Sequence, residues 1–398
     1  MAEGVEIHPT ISFDNTEIAF AYKSNSELKR AWYLFKAINN NFLVKIGPRL
    51  TELALKFHLP IQPLIKSTLF AQFCGGETID ESMKVIENLG KFGIGSILDY
   101  SVEGEDHEDV FDHTMGEIIR TLKKGAENKH IPFAVFKVSG LGKQETISSA
   151  HSRLISPNQK AELMRIKERV NEICKTAYNL NVSVMIDAEE SWLQPFIDEL
   201  ALSMMGKYNS EKCIVLNTYQ LYRKDRLSVL KMDIDTARTN GFFLGAKIVR
   251  GAYMEKERAL ALKSGIPSPI QPSKADTDEN FNNALDLCLK NLDTVSFVAG
   301  THNEASCLYL INKMALMDLP HNHNHIYFSQ LLGMSDHISF NLSRLGYNVA
   351  KYVPYGPLQS VLPYLFRRAE ENTSISGQMG RELSLIIKEQ ERRKTLNS

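Results

Sequence analysis

Residues 352–372 read YVPYGPLQSVLPYLFRRAEEN: a short extended segment, a turn at Gly356-Pro357, then a helix. With residues 358–372 helical, Tyr364, Arg367, Arg368 and Glu371 fall at i, i+3, i+4 and i+7, so one face carries a phenol, two guanidiniums and a carboxylate. Val361, Leu362, Leu365 and Phe366 lie on the other side and anchor the helix, and Pro363 is expected to kink its first turns. Adjacent arginines beside an aromatic suit a small planar carboxylate, because the guanidinium fork matches it bidentately and stays charged at any physiological pH. The same face also reads as a solvated surface with Glu–Arg contacts one turn apart. What the rest of the chain sets opposite the helix decides between the two.

Working back along the chain, short apolar segments stand at 96–101 (SILDYS), 132–138 (PFAVFKV), 182–186 (VSVMI), 213–217 (CIVLN), 246–249 (AKIV), 295–299 (VSFVA), 326–329 (IYFS) and 348–353 (NVAKYV). Helical patterns at 110–124, 159–179, 222–240 and 280–292 separate them, each long enough for a crossover between parallel strands. Eight such alternations point to an α/β protein built as a parallel (βα)8 barrel, although a doubly wound sheet has the same local signature. The strand ends favour the barrel. Lys137, then Asp187 with Glu189 and Glu190, then Asn217, Arg250, Thr301-His302-Asn303, Gln330 and Tyr352 stand at seven successive ends, and a barrel gathers such ends on one face.

Residues 1–95 read as a helical arm, with Leu28, Trp32, Leu34, Phe35 and Ile38 at near-helical spacing and further helical patterns at 51–57 and 79–89. Residues 69–73 are ambiguous between strand and buried helix. The expected division is therefore 1–95 arm, 96–373 barrel and 374–398 helical tail. In the tail, residues 381–394 read as a solvated helix, or alternatively as an amphipathic helix whose Leu383, Leu385, Ile386 and Ile387 meet a membrane surface.

A net charge of −1 over 398 residues argues against nucleic acid as the main partner and suits a small polar substrate. The five cysteines are widely spaced without a CxxC, which predicts neither a disulfide framework nor a thiolate zinc site and points to a reducing compartment. The first twenty residues contain acids and lack the pattern of a signal or transit peptide, and no apolar run approaches membrane-spanning length. A cytoplasmic location is expected, with peripheral contact at the inner face of a membrane as its variant. His321, His323 and His325 in HNHNH are read as a polar loop rather than as metal ligands, so no metal is expected. Asp187, Glu189 and Glu190 alone would also fit the paired carboxylates of a glycosidase, a reading that leaves the arginine pair without a role.

VRGAYMEKER (249–258), GTHNEAS (300–306), QLLGM (330–334), YVPYG (352–356) and YLFRRAEENT (364–373) together resemble the signature of the proline dehydrogenase family. MIDAEES (185–191), FKVSGLG (136–142) and QFCGGET (72–78) extend the resemblance over about residues 70–380. It implies a distorted (βα)8 barrel carrying FAD, the last helix lying over the barrel mouth. It also implies oxidation of L-proline to Δ1-pyrroline-5-carboxylate by hydride transfer to flavin N5, the first step of proline catabolism to glutamate.

Carried over by residue, the resemblance puts Arg367, Arg368 and Lys137 at the substrate carboxylate and Tyr352, Tyr364 and Tyr253 around the pyrrolidine ring. Glu371 would hold the arginines, with Asp187, Glu189 and Glu371 offsetting the three cations. The flavin positions would be Asn217, Lys247, Val249, Arg250, Gly251, Ala252, Tyr253, Thr301, His302 and Asn303. Two positions depart from the large bifunctional bacterial members, which have Arg and Gln where this chain has Lys247 and Asn217. Those members also carry an aldehyde dehydrogenase domain, for which this chain ends too soon, so the monofunctional form is expected. A membrane quinone as electron acceptor and pyrroline-5-carboxylate dehydrogenase as pathway partner follow from the same resemblance. The alternatives are hydroxyproline dehydrogenase, in which the position of Tyr352 is usually smaller and polar, and a non-catalytic proline-binding barrel.

Overall fold

The computed structural model describes residues 11–57, 59–101, 107–374 and 378–396. All eight anticipated strands form: β1 (Ile94–Tyr100), β2 (Phe133–Phe136), β3 (Ser183–Ile186), β4 (Val215–Gln220), β5 (Leu244–Val249), β6 (Val295–Gly300), β7 (Ile326–Leu331) and β8 (Val349–Tyr355). They pair in parallel in sequence order, and β8 closes on β1 from Ile94↔Val349 to Tyr100↔Tyr355. The chain is a closed (βα)8 barrel.

Strands buried on both faces need apolar residues at every position, which is why these segments read as near-continuous apolar runs. One set, including Ile97, Val135, Met185, Leu216, Val298 and Ala350, fills the barrel interior. The alternate set, including Leu98, Ile186, Ala246, Ile248 and Phe297, packs against the surrounding helices. This alternation also fixes which polar residues reach the barrel mouth.

The segment 69–73, ambiguous in sequence, is helical, within the run from Lys66–Phe70 to Ala71–Phe73. The arm helices Asn25–Ile38 and Asn41–Lys56 pack against the mouth helix Leu358–Ser374. A second apolar cluster joins Phe35, Phe70 and Phe73 of the arm to Val361, Leu362 and Leu365 of the mouth helix. That cluster also takes in Leu385 and Ile386 of the tail helix Gln378–Leu396. The tail is therefore not solvated all round: Leu385 and Ile386 are buried, whereas Leu383 is half-buried and Ile387 exposed.

The HNHNH loop sits at the start of β7, the end opposite the mouth. There His321 Nδ1 and His325 Nδ1 meet the carbonyls of Leu345 (2.7 Å) and Leu292 (2.8 Å). Among the described residues no helix is long and apolar enough to cross a membrane.

Candidate active site

At the C-terminal end of the barrel three interior side chains meet. Lys247 on β5 donates to the Tyr352 hydroxyl at 2.7 Å, and Tyr352 donates to Asp187 Oδ1 at 2.7 Å. The Lys247 ammonium also pairs with the same carboxylate and lies 4.6 Å from the centre of the Tyr352 ring. Burial, and then the negative charge of Asp187, push the Tyr352 phenol well above its ordinary range, so it stays a neutral donor. One cation, one anion and one phenol thus satisfy one another in a largely buried site.

Beside this cluster lies a cavity of about 90 Å³, walled by Lys137 after β2, Glu189 and Glu190 after β3, Tyr253 after β5, Asp99 on β1 and Arg367 of the mouth helix. Glu189 is fully inside; burial lifts its carboxyl to about 7, while the Ser139 N–H (2.9 Å) and the charge of Lys137 pull it back. Glu190 is paired with Lys256 at 2.7 Å. Tyr253 heads the helix Met254–Ser264, and burial raises its phenol too.

Neighbouring residues of a helix point about 100° apart, so Arg367 and Arg368 diverge. Arg367 faces the cavity, whereas Arg368 is buried with its guanidinium 5.0 Å from the ring centre of Tyr364, itself buried. The charge of Arg368 is felt at His302. Glu371 lies on the mouth helix, but its side chain falls outside the described residues.

The segments after β5 and β6 form the other half of the rim. Val249 ends β5, and Arg250 leaves the barrel to donate to Asp278 (2.7 Å), Thr301 (2.7 Å) and Ser306 (2.9 Å). Gly251 has φ +138°, and a Cβ there would fall 1.4 Å from the Tyr222 ring, so only glycine lets the backbone pass. Gly251 and the exposed Ala252 present main chain to the mouth, with the Ala252 N–H donated to Gln220 at 3.1 Å. Thr301 accepts from Arg250 and from the Asn303 N–H, and Asn303 caps the helix Glu304–Leu316 through the Ser306 N–H. His302 Nδ1 meets Ser335 Oγ at 2.9 Å; burial, followed by the charges of Lys351 and Arg368, lowers this imidazole to about 3 and keeps it neutral.

Asn217 requires a correction. The apolar run CIVLN predicts that β4 ends at this residue, but the strand runs on to Gln220, which puts Asn217 mid-strand on the outer face. There its amide donates to Asp198 at 2.9 Å, behind the barrel wall, where Asp198 also takes both arms of Arg226. The inward residues are Thr218 and Gln220. Gln220 bridges two site loops, donating to the Glu189 carbonyl at 2.7 Å and accepting from Ala252. Continuing the period-two reading through TYQ would have found it. Gln330 is likewise outward, held between the Thr301 carbonyl and Ser339.

The sequence pattern of the proline dehydrogenase family matches residues 82–381. "Proline dehydrogenase 1, mitochondrial" of Dictyostelium discoideum is 33% identical over 95% of this chain and 74% of that one. "Hydroxyproline dehydrogenase" of Xenopus laevis is 29% identical over 98% of this chain and 92% of its own. Proline utilization A of Bdellovibrio bacteriovorus, solved after inactivation by N-propargylglycine, superposes with a TM-score of 0.73 at 18% identity. That likeness covers 94% of this chain and 40% of the larger protein, and it carries the fold. With the motif-bearing strand ends gathered at one barrel mouth and the family pattern running over most of the sequence, this chain belongs to the proline dehydrogenase family of oxidoreductases.

Proposed function

We propose that this protein oxidises L-proline to Δ1-pyrroline-5-carboxylate with FAD as its cofactor. The observation that carries the reading is the convergence of Lys137, Tyr253 and Arg367 on one cavity beside the Asp187–Lys247–Tyr352 cluster. Lys137 and Arg367 come from separate elements to a cavity whose own carboxylates are Asp99, Glu189 and Glu190. Glu190 is paired with Lys256 and burial lifts Glu189 to about 7, so the lining acids offset these cations only in part and a substrate carboxylate suits them. In this reading Arg367 and Lys137 hold the substrate carboxylate. Tyr253, Tyr352 and Tyr364 wall the ring, and Arg368, stacked on Tyr364, fixes that phenol. Glu371 keeps the role the resemblance gives it, holding the arginines.

The rim fits a flavin. Main chain at Gly251 and Ala252 allows close approach, Lys247 and Arg250 bring positive charge, and His302 offers a neutral imidazole between the buried Thr301 and the half-buried Asn303. Val249 closes the strand beneath them. When bound, FAD supplies the two-electron acceptor for the hydride that leaves the ring carbon next to the nitrogen. The chain's own work is to orient that carbon and to keep water out beneath the mouth helix. A quinone as the next electron acceptor, and a pyrroline-5-carboxylate dehydrogenase consuming the product, complete the proposal.

The similarity to the Xenopus hydroxyproline dehydrogenase supports a second reading. Against it, the Tyr352 ring occupies the barrel mouth and its hydroxyl is committed to Asp187 and Lys247, leaving a ring hydroxyl without a small polar partner there. Anaerobic titration of the purified flavoprotein with L-proline and with trans-4-hydroxy-L-proline separates the two. Bleaching of the visible flavin band by proline at the lower concentration is expected; preferential bleaching by hydroxyproline would reverse the assignment, and a preparation that FAD cannot reconstitute would end both.

A further inference from the structure

Ser335 stands directly before the helix Asp336–Arg344, where a serine ordinarily turns its hydroxyl onto the first N–H groups of the helix. It does not do so here. Its φ of +50° is a left-handed value that serine rarely adopts, and its buried hydroxyl makes no cap hydrogen bond. The hydroxyl meets His302 Nδ1 instead, at 2.9 Å. A helix cap is given up for a contact with the rim of the barrel mouth.

Three elements hold Ser335 in that conformation. Gln72 of the arm donates to the Gly333 carbonyl at 2.7 Å, and Gly333 has φ +74° where a Cβ would strike the Gln72 carbonyl. Lys351 of β8 donates to the Met334 carbonyl at 2.7 Å. Glu382 of the tail helix accepts the N–H of Ser335 itself, 47 residues away in sequence.

The last of these is the one that packing does not explain. Glu382, Leu385, Ile386 and Glu389 stand at i, i+3, i+4 and i+7 and form the buried stripe of the tail, so a leucine would fill the place of Glu382. Glu389, the other acid of the stripe, is answered within the tail by Arg392 at 2.8 Å and Arg393 at 2.7 Å. Glu382 turns its carboxylate out of its own helix, to Ser335, with the His337 imidazole 4.0 Å away. Its neighbour Arg381 pairs with Glu304, which opens the helix that follows His302 and Asn303, and His337 reaches the same carboxylate at 3.0 Å. The tail thus meets the rim both through Ser335 and through Glu304.

We propose that Glu382 is a positioning residue for the flavin: by fixing Ser335 it sets the orientation of His302, and the tail helix becomes part of the cofactor site. The inference rests on the reading of His302 as a flavin-rim residue. A hydrogen bond at Nδ1 holds the ring in one plane and one tautomer, so its other nitrogen meets the cofactor in a single way. Without Glu382, Ser335 relaxes to an ordinary cap, turns its hydroxyl to its own helix and releases the imidazole.

The test is the FAD affinity of the full chain, measured on reconstituted apoprotein by equilibrium dialysis and flavin absorbance. Glu382→Leu and Ser335→Ala should each weaken FAD binding by about tenfold, as loss of one buried hydrogen bond predicts. The double variant should bind no more weakly than either single one, because the two residues act in series. Glu382→Gln keeps an acceptor oxygen and should stay within about twofold of the wild type. Arg393→Ala frees the far end of the tail from the Phe20 and Lys23 carbonyls of the arm, and should leave FAD binding unchanged if general loosening is not the cause. Additive losses in the double variant would overturn the inference, as would a loss in Arg393→Ala or Glu382→Gln equal to that of Glu382→Leu. Should Glu382→Leu not fold, Ser335→Ala decides alone, and binding equal to the wild type overturns the inference. In that case the cofactor reading stands, whereas a wild-type chain that takes up no FAD overturns both.

Discussion

Glu189 is the residue in the mouth whose charge changes near neutral pH. Its carboxyl moves from the ordinary 4.5 to about 7 because burial penalises the anion more than the Ser139 N–H and Lys137 favour it. A raised acid destabilises the fold when ionised, so its contribution to stability is fully present below about 4.5 and is lost as pH rises through 7. The same proton matters to binding. Ionised Glu189 competes with an incoming carboxylate for Lys137, so KM for proline should rise above pH 7, and Glu189→Gln should flatten that rise in a pH series of initial rates. Arg367→Ala should raise KM for proline by ~10–100-fold while the flavin stays bound, because it removes a contact made in ground and transition states alike. A KM within twofold of the wild type, about the limit of error for such a contact, would remove Arg367 from the clamp.

Among the elements, β4 and the loop after β5 show how much depends on strand length and backbone shape. Alternation from the inward Leu216 turns Asn217 to the outer wall, and the three further residues of β4 bring Gln220 to its expected place. The local apolar run CIVLN ends where the sequence turns polar, but pairing with β5 through Asn217↔Ala246 to Gln220↔Val249 carries the strand further. Tertiary hydrogen bonding overrode the local signal. At Gly251 the constraint is steric and legible in part, since a glycine between Arg250 and Ala252 signals a special backbone but does not name Tyr222 as its cause. Gly251→Ala must displace that ring or the loop. Weakening of FAD binding by about tenfold is expected, read from the flavin-to-protein ratio on dilution.

At the scale of the whole molecule, the arm is bonded through Tyr22 to a buried ion pair of the barrel. Lys351, fully buried on the outer face of β8, forms an ion pair with Asp336 at 2.7 Å, and Tyr22 of the arm donates to the other oxygen of that carboxylate at 2.6 Å. Burial alone would raise the Asp336 carboxyl, but Lys351, then Lys23 and Tyr22, hold it below its ordinary range. Asp336→Ala would leave the Lys351 ammonium without its carboxylate and should cost about 3–5 kcal/mol, measured by denaturant unfolding. A loss under about 1 kcal/mol would mean that the arm is held by its apolar cluster alone. What the sequence by itself determined was the barrel, its eight strands and the chemistry of the mouth, because a strand buried on both sides must be apolar and its end must not be, and both constraints are local. Only the tertiary structure decided that β4 runs on to Gln220, that Arg368 lies against Tyr364 while Arg367 reaches the cavity, and that Leu385 and Ile386 of the tail are covered while Leu50, Leu53 and Phe57 of the arm are exposed. Those outcomes depend on which surface meets which, and packing between residues far apart in the chain leaves no periodicity to read.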